Sequence, residues 1–318
     1  MNFLITGGAG FLGAALANWL VNEGHTVRVL DDLSSGNRTA LHPAVLFTEG
    51  DINNIPLLWS MLQDVDCVYH LAARVSVAQS LLHPKDYNAV NVGGTVSLME
   101  AIRDVGVRRV VLASSGAIYG RQSHPRVRET DTPNLDSPYA VSKWSAEQYV
   151  HTIGKLWDIE TVALRIFNAY GPGQSLPVSH APVVPRFMKA AVTGGSVVIF
   201  GDGEQSRDFV YVADVVQALV RAATAAQVDR KVLNIGSGQE TMINALVNAI
   251  EAATGQAVNR VWNQEKSGGV RRLVADISQA RELLGFRPKI SLAEGLQKML
   301  VEDGRFGVGE RQTAGTGV

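Results

Sequence analysis

A tyrosine and a lysine four positions apart, Tyr139 and Lys143 in Tyr-Ala-Val-Ser-Lys, share one face of a helix and lie within mutual reach. A lysine ammonium beside a phenol favours the phenolate, so Tyr139 is placed to exchange a proton with a substrate hydroxyl near neutral pH. Most such tetrads on helices are ordinary surface pairs. Here Ser114-Ser115-Gly116 follows an apolar run upstream, and a glycine-rich turn follows a strand at the N-terminus.

That strand, Asn2-Phe3-Leu4-Ile5-Thr6, runs into Gly7-Gly8-Ala9-Gly10-Phe11-Leu12-Gly13. Phe11, Leu12, Ala15, Leu16, Trp19 and Leu20 then recur at helical spacing, with Gly24 placed to end the helix. Glycines at 7, 10 and 13 let the backbone turn sharply, approach a pyrophosphate and pack the helix on the sheet, while the helix start at Phe11 and Leu12 offers its amides to the phosphates. A second strand, Thr26 to Leu30, ends in Asp31, about 20 residues on, as the dinucleotide fingerprint requires. Asp31 would accept hydrogen bonds from the adenosine ribose and repel a 2′-phosphate, so the expected cofactor is NAD rather than NADP.

Apolar strands near 45–48, 67–72, 108–114 and 161–167 alternate with helical stretches near 89–105 and 139–155, which predicts an α/β fold with a doubly wound parallel sheet. The exit of the fourth strand, Leu71-Ala72-Ala73, falls at the carboxyl edge where ligands bind, its small residues permitting close approach of a cofactor. Asp51 and Ile52 are expected at the adenine. His70 reads as a packed strand-end histidine rather than a catalyst, and Asn91 and Thr95 as ties from the long helix to neighbouring strands. Four prolines in 171–186 read as a loop leaving the sheet for a smaller C-terminal lobe. The expected division is a Rossmann-like domain over 1–170, with 207–235 packing back on it, a substrate-binding lobe over 171–303, and a mobile tail over 304–318 with five glycines.

Length and composition agree with this reading. The chain has 318 residues, 46 % hydrophobic and 19 % charged, with a formal net charge of -1, which gives no pull toward nucleic acid or anionic membrane. The one cysteine, Cys67, lies in an apolar run and reads as an inert buried thiol, so neither a disulfide framework nor a cysteine-based metal site is expected. Without a signal-like leader or a bilayer-length apolar span, a cytoplasmic protein is expected.

The motifs Thr-Gly-Gly-Ala-Gly-Phe-Leu-Gly, His-Leu-Ala-Ala, Ser-Ser-Gly-Ala-Ile-Tyr-Gly, Ser-Pro-Tyr-Ala-Val-Ser-Lys, Arg-Ile-Phe-Asn-Ala-Tyr-Gly-Pro-Gly-Gln and Gly-Asp-Gly-Glu-Gln-Ser-Arg-Asp-Phe-Val-Tyr occur in that order. In this the chain resembles the extended short-chain dehydrogenases/reductases that act on nucleotide sugars, above all the UDP-glucose 4-epimerases. The resemblance covers about residues 1–300 and includes the three-and-three glycine spacing at 7, 10 and 13. It implies that Tyr139 is the acid/base, that Lys143 holds the nicotinamide ribose and depresses the tyrosine pKa, and that Ser115 shares the hydrogen bond to the sugar O4. It places Asn168 and Arg207 at the sugar-nucleotide diphosphate, where an arginine fork suits phosphate oxygens. Phe200 falls where the family sets an aromatic against uracil, and reads equally as a core phenylalanine. A homodimer is implied as well.

Where the family usually carries Arg-Pro-Gly-Asp-Val-Arg, this chain has Lys266-Ser267-Gly268-Gly269-Val270-Arg271. Lys266 supplies charge as a point donor rather than a fork, and Gly269 has no side chain for the ribose hydroxyls. Arg74 and Arg186, cations near the expected sugar pocket, keep a uronic acid such as UDP-glucuronate open beside UDP-glucose and UDP-galactose, and an N-acetylated sugar stays open as well. Dehydratases and decarboxylases of the same superfamily carry carboxylates after the Ser/Thr, where this chain has Gly116 and Ala117, so the resemblance implies reversible C4 inversion through a 4-keto sugar. A non-catalytic dinucleotide sensor is the rival of a different class.

Overall fold

The structure, a computed structural model, describes residues 1–178, 181–265 and 269–306. Its first half runs β1 (Asn2–Thr6), α1 (Phe11–Asn22), β2 (Thr26–Asp31), β3 (Leu46–Glu49), α2 (Ile55–Met61), β4 (Cys67–His70), α3 (Val77–Leu82), α4 (Pro84–Tyr87), α5 (Gly94–Val105), β5 (Arg109–Ser115), β6 (Arg126–Val127), α6 (Pro138–Leu156) and β7 (Glu160–Ile166). The second half runs β8 (Asn168–Tyr170), α7 (Val183–Thr193), β9 (Ser196–Phe200), β10 (Ser206–Arg207), β11 (Phe209–Tyr211), α8 (Val212–Thr224), β12 (Lys231–Ile235), β13 (Thr241–Met242), α9 (Ile243–Thr254), β14 (Asn259–Asn263), β15 (Val274–Ala275), α10 (Ser278–Leu284) and α11 (Leu292–Glu302).

Seven parallel strands form the central sheet in the order β12-β7-β5-β4-β1-β2-β3. Leu4, Ile5, Val68, Tyr69, Val110 and Val111 are almost wholly buried, because helices cover both faces of a parallel sheet and leave its strands no wet side. Leu58, Leu98, Ile102 and Val150 from α2, α5 and α6 fill one face, while Leu16 and Leu20 of α1 and Val215 and Leu219 of α8 fill the other. Successive strands are added outward from β1 toward β3 on one side and from β4 toward β12 on the other, and this switch in strand order between β1 and β4 opens the crevice where such folds bind ligands.

The remaining strands form two-stranded pairs, β8 with β11, β9 with β14, β10 with β13 and β6 with β15. The expected loop over 171–186 is shorter than its prolines suggest. Helix α7 starts at Val183 and carries Pro185 in its first turn, where a missing amide hydrogen costs no intrahelical bond. The long helix expected from 89 starts as a π-helical turn, Asn88–Gly93, before α5. Of the expected tail, residues 304–306 are described and Phe306 is fully buried, while 307–318 lie outside the described residues.

Candidate active site

The glycine turn is set by close packing. Gly7 has φ +68°, and a Cβ there would lie 2.6 Å from the Ala72 amide nitrogen, so the turn can press against the exit of β4 only without a side chain. Helix α1 begins at Gly10 with no side-chain cap, which leaves the amides of its first turn for an anion. Asp31 does more than the sequence indicated. It accepts hydrogen bonds from the Ala9 amide (2.9 Å) and the Leu33 amide (2.8 Å), bracing the turn from β2. Burial raises its pKa, opposed by those amides.

One cavity of about 320 Å³ runs from this turn to α6, the helix that carries Tyr139 and Lys143. Gly7, Gly10, Phe11, Leu12, Gly13, Asp31, Asp51, Ile52, Leu71, Ala72, Ala73, Tyr139 and Lys143, the residues expected at the dinucleotide, all line it, as does Ser115. Ser34, Ser35, Gln174, Ser175 and Pro182 line it too and were missed. The polar Ser34-Ser35 pair just after Asp31-Asp32 was a usable signal; nothing local marks the others.

Ser137 caps α6 by accepting the Ala140 amide at 3.2 Å, and Pro138 opens its first turn, which fixes where Tyr139 emerges. Tyr139 is 8 % exposed and sits edge-on to Tyr87, ring centroids 6.3 Å apart. The expectation that Lys143 draws the Tyr139 pKa down is not met in the chain alone. Burial raises that pKa, Tyr87 adds to the rise, and a hydrogen bond with Ser115 opposes it. Lys143 is itself buried, which pushes it down to about 8 against the pull of Glu147. Burial thus disfavours the charged form of both side chains, the phenolate of Tyr139 and the ammonium of Lys143.

Behind the pair, Glu147 takes hydrogen bonds from Ser114 Oγ (2.8 Å) and from Arg165 Nε (3.1 Å) and Nη2 (2.7 Å). Asn91 holds the Arg74 backbone through both its amide nitrogen (2.8 Å) and its carbonyl (3.0 Å) and donates to Ser142 Oγ, tying the exit of β4 to α6.

His70 hydrogen-bonds Thr6 and Thr95, each at 2.8 Å, and burial, with Lys143 nearby, pushes it down to about 3. It is neutral in the fold, whereas an unfolded histidine titrates near ~6.5. Between those values the unfolded chain binds more protons, so stability present above the upper value is lost as pH falls through the window. Urea unfolding between pH 7.5 and 4.5 should therefore show stability falling by up to about 1.4 kcal/mol per pH unit from this residue. His70→Gln should flatten that slope, and an unchanged slope would assign it to other groups.

Asn168, Phe200 and Arg207 are not among the described residues lining the cavity. The Asn168 amide donates to the carbonyl of Asp208 (3.1 Å), the residue after Arg207, and Arg207 Nη1 donates to the carbonyls of Ser206 (2.7 Å) and Val270 (2.6 Å). Lys266 lies outside the described residues. Gly269 has φ +76°, and a Cβ there would lie 3.6 Å from Arg207 Nη2, so the glycine borders the guanidinium. Arg74 lines the cavity; Arg186 stacks over Phe187 at 5.2 Å, one turn after the cavity residue Pro182.

Fold and site together define a dinucleotide-dependent enzyme of the doubly wound α/β class, built around hydride and proton transfer. The chain belongs to the NAD dependent epimerase/dehydratase family, whose model matches residues 3–236. It is 39 % identical to the UDP-glucose 4-epimerase of Mycolicibacterium smegmatis over 305 residues, 94 % of this chain and 97 % of that one. The crystal structure of UDP-glucose 4-epimerase with UDP-glucose from Thermotoga maritima matches with a TM-score of 0.91 at 37 % identity, covering 95 % of this chain and 98 % of that one. That of UDP-glucuronic acid 4-epimerase from Bacillus cereus, in complex with UDP-glucuronic acid and NAD, matches with a TM-score of 0.87 at 31 % identity, covering 94 % and 98 %.

Proposed function

We propose that this protein interconverts the C4 epimers of a UDP-hexose of the glucose/galactose type, with NAD as its cofactor. The observation that carries the reading is the meeting of Ser115, Tyr139 and Lys143 in the cavity that the glycine turn and Asp31 also line. The uncapped start of α1 suits the pyrophosphate, and Asp31 the adenosine ribose. When bound, NAD would supply hydride acceptance and return at C4. Tyr139 removes the O4 proton as the 4-keto sugar forms and returns it after the sugar has turned over; Ser115 shares that hydrogen bond, and Lys143 holds the nicotinamide ribose. Asn168, Arg207 and Lys266 meet the substrate diphosphate, and Phe200 the uracil.

The same site disfavours elimination. Ser115 caps a short 3₁₀ turn, Gly116–Tyr119, and a Cβ at Gly116 would lie 3.2 Å from three atoms of the Phe167 ring. Neither Gly116 nor Ala117 offers a carboxylate to protonate a departing 6-hydroxyl, so hydride return is the favoured exit from the keto intermediate.

A second reading, C4 inversion of a uronate such as UDP-glucuronate, is favoured by Arg74, an exposed cation on the cavity wall with no ion-pair partner among the described residues. One panel of UDP-glucose, UDP-galactose, UDP-glucuronate and UDP-N-acetylglucosamine, read by chromatographic separation of epimers, tests both. The expected result is reversible inversion of UDP-glucose with no net NADH, no water loss and no CO₂. Turnover of the glucuronate alone would favour the second reading, and accumulation of a 4-keto-6-deoxy sugar or a pentose would overturn both.

A homodimer in the cytoplasm completes the proposal. Exposed Val77, Leu81 and Leu82 on α3 and Val141 and Tyr149 on neighbouring α6 support pairing with a second copy. No described helix is long and apolar enough to cross a membrane.

A further inference from the structure

The carboxylate of Glu147 lies one helical turn beyond Lys143 and is only 1 % exposed. Its partner Arg165, 4 % exposed, stacks over the Tyr119 ring at 4.8 Å, and Tyr119 Oη donates to Asn234 at 2.7 Å. The ion pair is therefore fixed from three sides, by β5, β7 and the turn after Ser115. A buried ion pair of this kind contributes little net stability against an apolar replacement, so its worth lies elsewhere. The third partner shows where: Ser114, the residue before Ser115, donates to the same carboxylate.

We propose that Glu147 is a positioning residue for the proton transfer, clamping the end of β5 that carries Ser115 to the helix that carries Tyr139 and Lys143, and holding an anion one turn from the Lys143 ammonium. The inference rests on the proton-transfer reading of Tyr139 given above. The groups facing Lys143 are few. On its own helix there are Tyr139 and Glu147; from β4 comes His70, neutral and tied to Thr6 and Thr95; from α4 comes Tyr87, against Tyr139; and from β7 comes Arg165, behind Glu147. Glu147 is the charged neighbour that favours the ammonium against its burial. Removing the anion lets Lys143 lose its proton at lower pH.

Glu147→Gln keeps a hydrogen-bonding side chain of the same shape and removes the charge. Measured as kcat against pH in the full chain, it should lower kcat by roughly 10-fold and move the alkaline limb down by about one pH unit, the effect of losing one close opposite charge. Glu147→Asp should restore the position of the limb even where kcat stays low. A Glu147→Gln profile parallel to that of the unaltered chain, with only a lowered Tm or a raised KM, would overturn the proposal. Should Glu147→Gln fail to fold, Ser114→Ala removes the clamp and spares the ion pair; an unchanged kcat there would overturn the clamp equally. Unaltered turnover in Tyr139→Phe would instead remove the underlying proton-transfer reading, so the two failures are distinguishable.

Discussion

Tyr139→Phe is expected to lower kcat by ~100-fold or more, in line with what a positioned acid/base contributes, while leaving the fold and the bound dinucleotide in place. The ring would keep its edge-on contact with Tyr87 at 6.3 Å, so the substitution deletes one oxygen and little packing. Burial raises the phenol pKa in the chain alone. Epimer separation measures the rate, thermal unfolding the fold, and the dinucleotide freed by denaturation the cofactor content. That dinucleotide should lack a 2′-phosphate. Full turnover in a folded, cofactor-loaded variant would take Tyr139 out of the mechanism and return the non-catalytic sensor to consideration.

The features legible in the sequence are those fixed by local periodicity. Alternating apolar runs gave the sheet and its helices, and the glycine turn, Asp31 and the Tyr139–Lys143 spacing placed the cavity's two ends. Long-range contact made the rest illegible. Nothing near Tyr139 in the chain reveals that Tyr87 packs against it, or that burial raises its pKa. Glu147 was visible as the residue four after Lys143, yet its part depends on Ser114 and Arg165, which the sheet brings to it from other strands. Gln174 and Pro182 reach the cavity on a proline-bearing stretch whose course no periodicity encodes. Asn168 and Arg207, proposed at the diphosphate, came from motif resemblance alone, and the pairing of Asn168 with Phe209, two residues after Arg207, is a contact no local pattern announces.

The second large effect is expected at Gly13, where helix α1 meets the turn. A Cβ there would lie 2.6 Å from Gly8 Cα, 2.9 Å from Gly8 C, and closer still to the Gly7 carbonyl oxygen. All three are backbone atoms, so no side chain can swing aside to make room. Overpacking of this kind costs about 1–3 kcal/mol, which for a chain of this size lowers Tm by several degrees. More important is the direction of the strain. Relief requires α1 to move away from Gly7 and Gly8, carrying with it Phe11 and Leu12, which line the cavity beneath the expected pyrophosphate. Gly13→Val should thus purify folded but without dinucleotide and without epimerase activity, and Gly13→Ala should show a weaker form of the same loss. Gly24→Ala is the matched control: at φ +81° with nothing within 4 Å of the added carbon, it strains the backbone past the end of the same helix without touching the turn. It should cost about 1 kcal/mol of stability and retain the cofactor. Equal losses of Tm with cofactor retained in both variants would show that the contact between helix and turn serves folding alone, and that the glycine at 13 does not set the dinucleotide site.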